Sequence, residues 1–179
     1  VVISYPLPKE ENIVADITGA YLLGYDIIKI IGKTNIPVED REKIRESMRR
    51  LVGVEIVEEE ASSIIIQFLL DAATLNPEKI LKRMSSIALG MYEDVSNGLI
   101  LNDKSNLRTL SNRDVEVNRQ YFLLVRLIRS TLVDKRLANV FNLENIDILD
   151  YRVAANLLEN AGDTIVELAD FVYNSSLSD

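Results

Sequence analysis

The hydrophobic pattern divides the chain into two parts of different character. In residues 1–72, short runs rich in β-branched side chains alternate with amphipathic stretches. Apolar runs of this kind, bounded by Gly or Pro, are typical of strands. The pattern predicts strands over 1–5, 26–32, 54–59 and 62–70, and helices within 6–23 and 37–53. Because strands and helices alternate, we expect a small α/β layer structure.

From residue 73 onward the apolar positions recur at steps of three and four, which is typical of amphipathic helices. The pattern predicts three long helices, over about 76–98, 105–133 and 150–170. Long amphipathic helices joined by short connections pack as antiparallel bundles. The sequence therefore predicts an α+β protein, with residues 1–72 as a small α/β segment and residues 73–179 as an antiparallel three-helix bundle.

The third predicted helix carries an apolar face and an acidic face. The apolar face consists of Val153, Leu157, Ala161, Ile165, Leu168 and Val172, and the acidic face of Glu159, Asp163, Glu167 and Asp170. Gly162 lies mid-helix, where Gly is about 1 kcal/mol less favourable than Ala. We expect another group to approach the backbone there. Two carboxylates one turn apart can bind a hard cation, although a solvated acidic face with a tolerated glycine gives the same pattern.

The second predicted helix places Asp114 at the edge of its apolar stripe, with Asn118 one turn further on. A charged side chain at such an edge needs a partner or a ligand. A capping box beginning at Ser111 is the alternative interpretation of Asp114. Leu107 and Leu110 continue the apolar stripe upstream, which favours an earlier helix start.

Composition narrows the chemistry that these side chains can perform. The 179 residues include no His and no Cys, so any metal must be bound by oxygen ligands. The net charge of −8 argues against direct nucleic-acid binding by this segment. No apolar run reaches the roughly 20 residues of a membrane span, so we expect no membrane insertion. The lack of Cys fits a cytoplasmic location. Arg119, Arg126 and Arg129 are expected to be surface cations.

Two short motifs resemble those of the PhoU (phosphate-uptake regulator) family. Asp114-x-x-x-Asn118, within NRDVEVNRQYFLLVR, is similar to the family's carboxylate motif, and Glu159-Asn160-Ala161-Gly162-Asp163 is similar to its Glu-Arg-x-Gly-Asp motif. Asn118 departs from the more common carboxylate, and Asn160 from the usual arginine. In the family, such pairs converge from two helices of a three-helix repeat and bind multinuclear iron or other cations. The resemblance implies that Asp114, Asn118, Glu159 and Asp163 bind a metal, with iron first and zinc, manganese or magnesium as alternatives.

Three longer stretches are similar to the archaeal branch of this family: YLLGYDIIKI, REKIRESMRRLVGVEIVEEE and MSSIALGMYEDV. In that branch an AbrB-type DNA-binding segment precedes a small α/β region and the PhoU helices. Family members usually carry two helical repeats, whereas residues 73–179 match one. The analogy, together with a start at Val1 rather than Met, predicts that the chain is the middle of a longer protein.

The resemblance implies a non-enzymatic, cytoplasmic regulator of phosphate uptake or of the phosphate-starvation response. Its implied partner is a phosphate transporter or a regulatory protein. We also expect a homodimer in which the second copy stands in for the missing repeat, with a seam lined by Phe122, Val125, Phe171 and Tyr173. Two alternatives stay open: a structural oligomerisation module of a transcriptional regulator, and a carboxylate-bridged metal enzyme. Di-iron bundle enzymes use Glu-x-x-His pairs, which disfavours the enzyme.

Overall fold

The computed structural model of the chain describes residues 1–8 and 10–175. They form strands β1 (Val2–Tyr5), β2 (Ile27–Gly32), β3 (Val54–Glu59) and β4 (Ser63–Phe68). The α-helices are α1 (Ile13–Leu22), α2 (Val38–Arg49), α3 (Pro77–Ile100), α4 (Leu110–Val133), α5 (Lys135–Phe141) and α6 (Asn145–Asn174). Short 3-10 turns precede α3 and α4, at Ala72–Thr74 and Leu107–Thr109. The predicted α+β class, a small α/β part followed by a helical region, is confirmed.

The chain forms two compact units, and α4 contributes to both. The α/β unit comprises Val1–Leu75 and Val125–Asn142. The helical unit comprises Asn76–Leu124 and the chain from Leu143 onward. The predicted domain boundary after residue 72 stays a prediction.

The α/β unit is built on a four-stranded sheet in the order β1-β2-β4-β3. β1 runs parallel to β2, and the other pairs are antiparallel. Alternate side chains of the two central strands are buried: Ile28, Ile30, Ile64 and Ile66. Ile27 and Ile31, which alternate with them, are exposed. A sheet with one packed and one solvated face gives this alternation.

Arg126 is buried in the α/β unit, which contradicts the prediction of a surface cation. Its side chain is 3% exposed and lies over the Phe68 ring, with 3.9 Å between the guanidinium carbon and the ring centroid. The guanidinium donates hydrogen bonds to the carbonyls of Tyr21 and Tyr25 and to the carboxylate of Asp26. The prediction failed because these acceptors come from a part of the chain about 100 residues away, whereas helix spacing reports only neighbours on α4.

The helical unit contains α3, the first half of α4, and α6. α3 begins next to the predicted start at residue 76, where the Asn76 side chain caps the helix by accepting a hydrogen bond from the backbone N–H of Lys79 at 3.0 Å. The apolar side chains of α3 are buried at Ile80, Met84, Met91 and Val95. Among the described residues, no helix combines the length and the apolar character that crossing a membrane requires.

The buried face of α6 differs from the predicted apolar face. The buried positions are Ile148, Ala155, Gly162, Ile165, Ala169 and Val172, whereas Val153 and Leu157 are 52% and 63% exposed. Ala155, Gly162 and Ala169 recur every seven residues, and small side chains allow neighbouring helices to approach closely. A pattern based on large apolar residues cannot detect such a face.

The connection between α4 and α6 contains a further helix, in addition to the three long helices that the sequence predicts. Residues Lys135–Phe141 form the short helix α5 in the α/β unit. The Asp134 side chain caps this helix by accepting a hydrogen bond from the backbone N–H of Arg136 at 2.9 Å.

Candidate metal centre

The α4 half of the candidate site consists of Asp114 and Asn118. α4 begins at Leu110, directly after the 3-10 turn Leu107–Thr109, so the earlier helix start is the observed one. Asp114 therefore lies more than one turn inside the helical segment. Its Oδ2 accepts a hydrogen bond from Asn118 Nδ2 at 2.9 Å. The two side chains project together, as their spacing predicted.

Gly162 brings the α6 half of the site against Asp114. A Cβ atom built on Gly162 would lie 2.6 Å from Asp114 Oδ1 and 3.6 Å from Val117 Cγ1. A side chain at residue 162 would therefore displace the carboxylate. The expectation that a group approaches the backbone at this glycine is confirmed, and the group is Asp114 itself. The mid-helix glycine is thus explained by close packing between α4 and α6.

The carboxylates at this contact influence one another electrostatically. Burial is the main reason why the pKa of Asp114 is raised, and the negative charge of Asp163 adds to it. Burial likewise raises the pKa of Glu159, and the charges of Asp163 and Asp114 raise it further. Asn118 opposes the effect at Asp114, and Arg152 opposes it at Glu159. The site therefore carries more negative charge than its own polar groups compensate.

Asp114 Oδ1 is the least satisfied atom of the site. It is buried, and among the described residues it has no hydrogen-bond partner. Buried polar atoms without partners are uncommon in folded proteins, and each is destabilising. A positive charge at this position would satisfy Oδ1 and reduce the repulsion between the neighbouring acids.

The four predicted ligands are not arranged as a finished coordination shell. Over residues 1–8 and 10–175, no group of three or more Asp, Glu, His or Cys side chains is positioned to hold a metal ion. Asp114 and Asn118 are hydrogen-bonded to each other. Glu159 and Asp163 lie close enough to Asp114 for the charges to raise the pKa values of Asp114 and Glu159. Carboxylate and amide oxygens suit a hard cation, and binding one here requires the side chains to close around it.

A family model for the PhoU domain matches residues 81–172, which is just over half of the 179 residues. The chain belongs to the PhoU family. The PhoU family is regulatory and non-enzymatic, and its domain indicates involvement in regulating phosphate uptake. The matched region contains Asp114, Asn118, Glu159 and Asp163. Neither the curated proteins nor the solved structures gave a match to the chain. The archaeal AbrB-type branch stays a prediction.

Arg152 is a residue of the PhoU domain that sequence reasoning missed. It lies on α6, seven residues before Glu159, and its positive charge offsets part of the rise in the Glu159 pKa. Its guanidinium carbon is 5.3 Å from the centroid of the Tyr121 ring, so α4 positions it. The seven-residue spacing between opposite charges, about two helical turns, is the signal that could have identified it.

Proposed function

We propose that this PhoU-family chain is a metal-dependent, non-enzymatic regulator of phosphate uptake or of the phosphate-starvation response. Asp114, Asn118, Glu159 and Asp163 would bind the cation. The observation that supports the proposal is the buried, unpartnered Oδ1 of Asp114 against Gly162, beside two further acids. By resemblance the metal is iron, with zinc, manganese or magnesium as alternatives.

Binding at these residues would connect two helices of the helical unit. Asp114 and Asn118 belong to α4, and Glu159 and Asp163 belong to α6. A cation favours the deprotonated carboxylates and replaces their mutual repulsion with attraction to a common charge. Because the unfolded chain does not bring the two motifs together, binding stabilises the folded state. At a metal concentration of 100 times Kd the gain is about 2.7 kcal/mol.

The regulatory output in this proposal is a protein contact, made in the cytoplasm with a phosphate transporter or a regulatory protein, by a homodimer. Direct nucleic-acid binding is disfavoured by the net charge of −8. Three of the four cations of α2 are also engaged: Arg41 and Arg45 pair with Glu59 at 2.7 Å each, and Lys43 pairs with Asp40 at 2.8 Å. Paired side chains leave little positive charge to neutralise phosphates.

The test is to add iron, zinc, manganese and magnesium separately to metal-free protein and to measure the melting temperature and the bound metal. We expect at least one metal to raise the melting temperature and to be retained. The Glu159→Gln/Asp163→Asn variant should lose both effects. The matched control, Asp150→Asn/Asp170→Asn, removes two exposed charges from the same helix and should keep them. Unchanged melting temperatures with all four metals would overturn the metal site.

A structural oligomerisation module is the second candidate function. It is favoured by the incomplete coordination shell among the described residues and by exposed apolar side chains on α6. A protein that assembles normally after loss of Glu159 and Asp163, and keeps its regulatory output, would favour this module over the metal-dependent regulator.

A further inference from the structure

α6 carries a second apolar face that points away from its own unit. Six large apolar side chains of this face are each more than a third exposed, up to 71% for Phe171. Asn160 and Thr164 complete the face at its centre, since they continue the steps of three and four residues. We call this face the α6 stripe; it consists of Ile146, Leu149, Val153, Leu157, Asn160, Thr164, Leu168 and Phe171.

The spacing of the α6 stripe is the same in both directions along the helix. Its successive steps are three, four, four, three, four, four and three residues, with the midpoint between Leu158 and Glu159. Two antiparallel copies related by a twofold axis at this midpoint therefore match position for position. Ile146 meets Phe171 of the partner subunit, and Leu149 meets the partner's Leu168. An interface that is complementary to itself in this way is what a twofold dimer requires.

We propose that the α6 stripe is the interface between two copies of this chain, which pair antiparallel along α6. The inference rests on the homodimer of the proposed function and is independent of its metal site. The interface is apolar towards both ends and polar at the centre, where Asn160 and Thr164 lie. Leu157 and Val153 pack against the partner's Asn160 and the partner's Thr164, respectively.

The exposed apolar area of the stripe is about three quarters of the area that each partner of a stable dimer buries. The six apolar side chains offer roughly 100 Å² each, and therefore on the order of 600 Å² per copy before their neighbours are counted. Stable interfaces bury about 800 Å² per partner, which the flanking polar side chains bring within reach. At 1.5 Å per residue, α6 is about 45 Å long, so the whole stripe can be covered by one copy of the same helix.

The charges beside the stripe are complementary in the same register. Arg152 and Glu167 lie on the same side of the stripe, at positions that the antiparallel pairing brings opposite each other to within two residues, about 3 Å along the helix axis. Within residues 1–8 and 10–175, neither side chain forms an ion pair. The twofold axis therefore forms two equivalent pairs between Arg152 and Glu167 of the partner subunit.

Single cysteines test the pairing directly, because the natural chain contains none. In the proposed dimer, the two copies of residue 160 lie about 4.5 Å apart along the helix axis, whereas the two copies of residue 146 lie about 38 Å apart. Under mild oxidation Asn160→Cys should form covalent dimers, and Ile146→Cys should not. Efficient crosslinking of both would show a parallel arrangement, and crosslinking of neither would show that α6 does not pair with itself. Either result overturns the proposal.

The mass in solution provides the second test, measured by light scattering with a metal chelator present. The natural chain should be a dimer at micromolar concentration, and Leu149→Glu/Val153→Glu should weaken dimerisation by at least 100-fold. The matched control, Leu89→Glu/Tyr92→Glu, changes two equally exposed apolar residues on α3 and should remain dimeric. A monomeric natural chain, or a dimeric α6 variant, overturns the proposal.

These results separate this inference from the metal site. Dimerisation in chelator together with no metal-dependent change in melting temperature would remove the metal site and keep the α6 interface. Metal binding by a monomeric chain would keep the metal site and remove the α6 interface. The stripe would then be a surface for another protein. Circular dichroism of both double variants checks that each remains folded, as expected for exposed positions.

Discussion

The α/β unit and the helical unit each contain a charged side chain from α4 that is withdrawn from solvent, fully for Arg126 and partly for Asp114, and the partners of the two side chains differ. In the α/β unit, Arg126 has two backbone carbonyls, one carboxylate and two aromatic rings around its guanidinium. In the helical unit, one oxygen of Asp114 accepts from Asn118, and the other has no partner among the described residues. The surroundings of Asp114 include further acids rather than a compensating cation.

The difference separates a structural charge from a candidate ligand. A buried charge with several partners stabilises the arrangement around it, because each partner would lose its interaction if the charge were removed. A buried carboxylate oxygen with no partner does not stabilise the apo fold and is available to a ligand. Burial alone therefore does not mark a candidate ligand, whereas a buried carboxylate oxygen without compensation does.

The largest effect is expected from Arg126→Met, which keeps much of the side-chain volume and removes the charge. The variant loses the hydrogen bonds to Tyr21, Tyr25 and Asp26, and we expect the free energy of unfolding to fall by about 3 kcal/mol. Chemical denaturation measures it. Asp26→Asn is the control, since the Asp26 side chain is 74% exposed and water can replace its interaction; its effect should stay below about 1 kcal/mol. Equal losses in the two variants would contradict the distinction.

For a substitution of Asp114 we expect the free energy of unfolding to change in the opposite direction. In metal-free protein, Asp114→Asn removes a partly buried negative charge next to Glu159 and Asp163, and we expect it to stabilise the fold by about 1 kcal/mol at neutral pH. The same variant should lose the stabilisation by metal. Thermal unfolding with chelator and with metal measures both effects. A variant that is less stable without metal would show that the Asp114 carboxylate has a structural role like that of Arg126.

The raised pKa values of Asp114 and Glu159 predict that the stability of the fold depends on pH, because ionisation of these carboxyls is unfavourable in the folded protein. Because folding raises both pKa values, the folded protein holds more protons than the unfolded chain just above the normal carboxyl range. The stability contributed by this pair is thus fully present below the unfolded-state pKa values, at less than about pH 4, and is lost as the pH rises through the raised pKa values of the folded state. We expect the difference in melting temperature between the natural chain and Asp114→Asn/Glu159→Gln to grow over this interval in chelator. A constant difference would contradict the raised values.

The smallest effect is expected from Gly162→Ala, which tests the single close contact between residue 162 and Asp114 Oδ1. Alanine favours the helix by up to about 1 kcal/mol, but its Cβ would displace Asp114 Oδ1, so we expect a net change in stability near zero. When Asp114 is first changed to Ala, the same substitution should be stabilising. A double-mutant cycle measures the coupling between the two positions. In the single variant Gly162→Ala, the affinity for metal should also fall, because the Asp114 carboxylate is displaced.

Sequence patterns predicted most elements of the fold because large apolar residues mark the buried faces of β2, β4 and α3. They also predicted the approach at Gly162, since a glycine inside a helix is unfavourable unless something lies against it. The face of α6 at Ala155 and Ala169 escaped prediction because small residues carry little hydrophobic signal. The predicted seam for a dimer was partly wrong: Val125 is buried, whereas Phe171 is exposed.

The charged and polar groups around Arg126 and Asp114 could not be predicted from the sequence, and the physical reason is the same in both units. The partners of Arg126 come from α1, β4 and the Tyr25–Asp26 segment, and the neighbours of Asp114 come from α6. Spacing along one helix determines which side chains share a face, but the groups opposite that face depend on tertiary packing. Asp114 and Glu159 were therefore identifiable as candidates, while the missing compensation around them was not.

The discontinuous α/β unit has a consequence for synthesis of the chain on the ribosome. The socket for Arg126, between Tyr21 and Phe68, is complete once Phe68 has been translated, and Arg126 follows Phe68 by 58 residues. At typical elongation rates of about 5–20 residues per second, that interval lasts roughly 3–12 s. During it, two aromatic rings and the carbonyls beside them lack their guanidinium. The nascent sheet therefore exposes this aromatic socket until α4 has been made, and a chain that terminates before α4 would keep the socket open permanently.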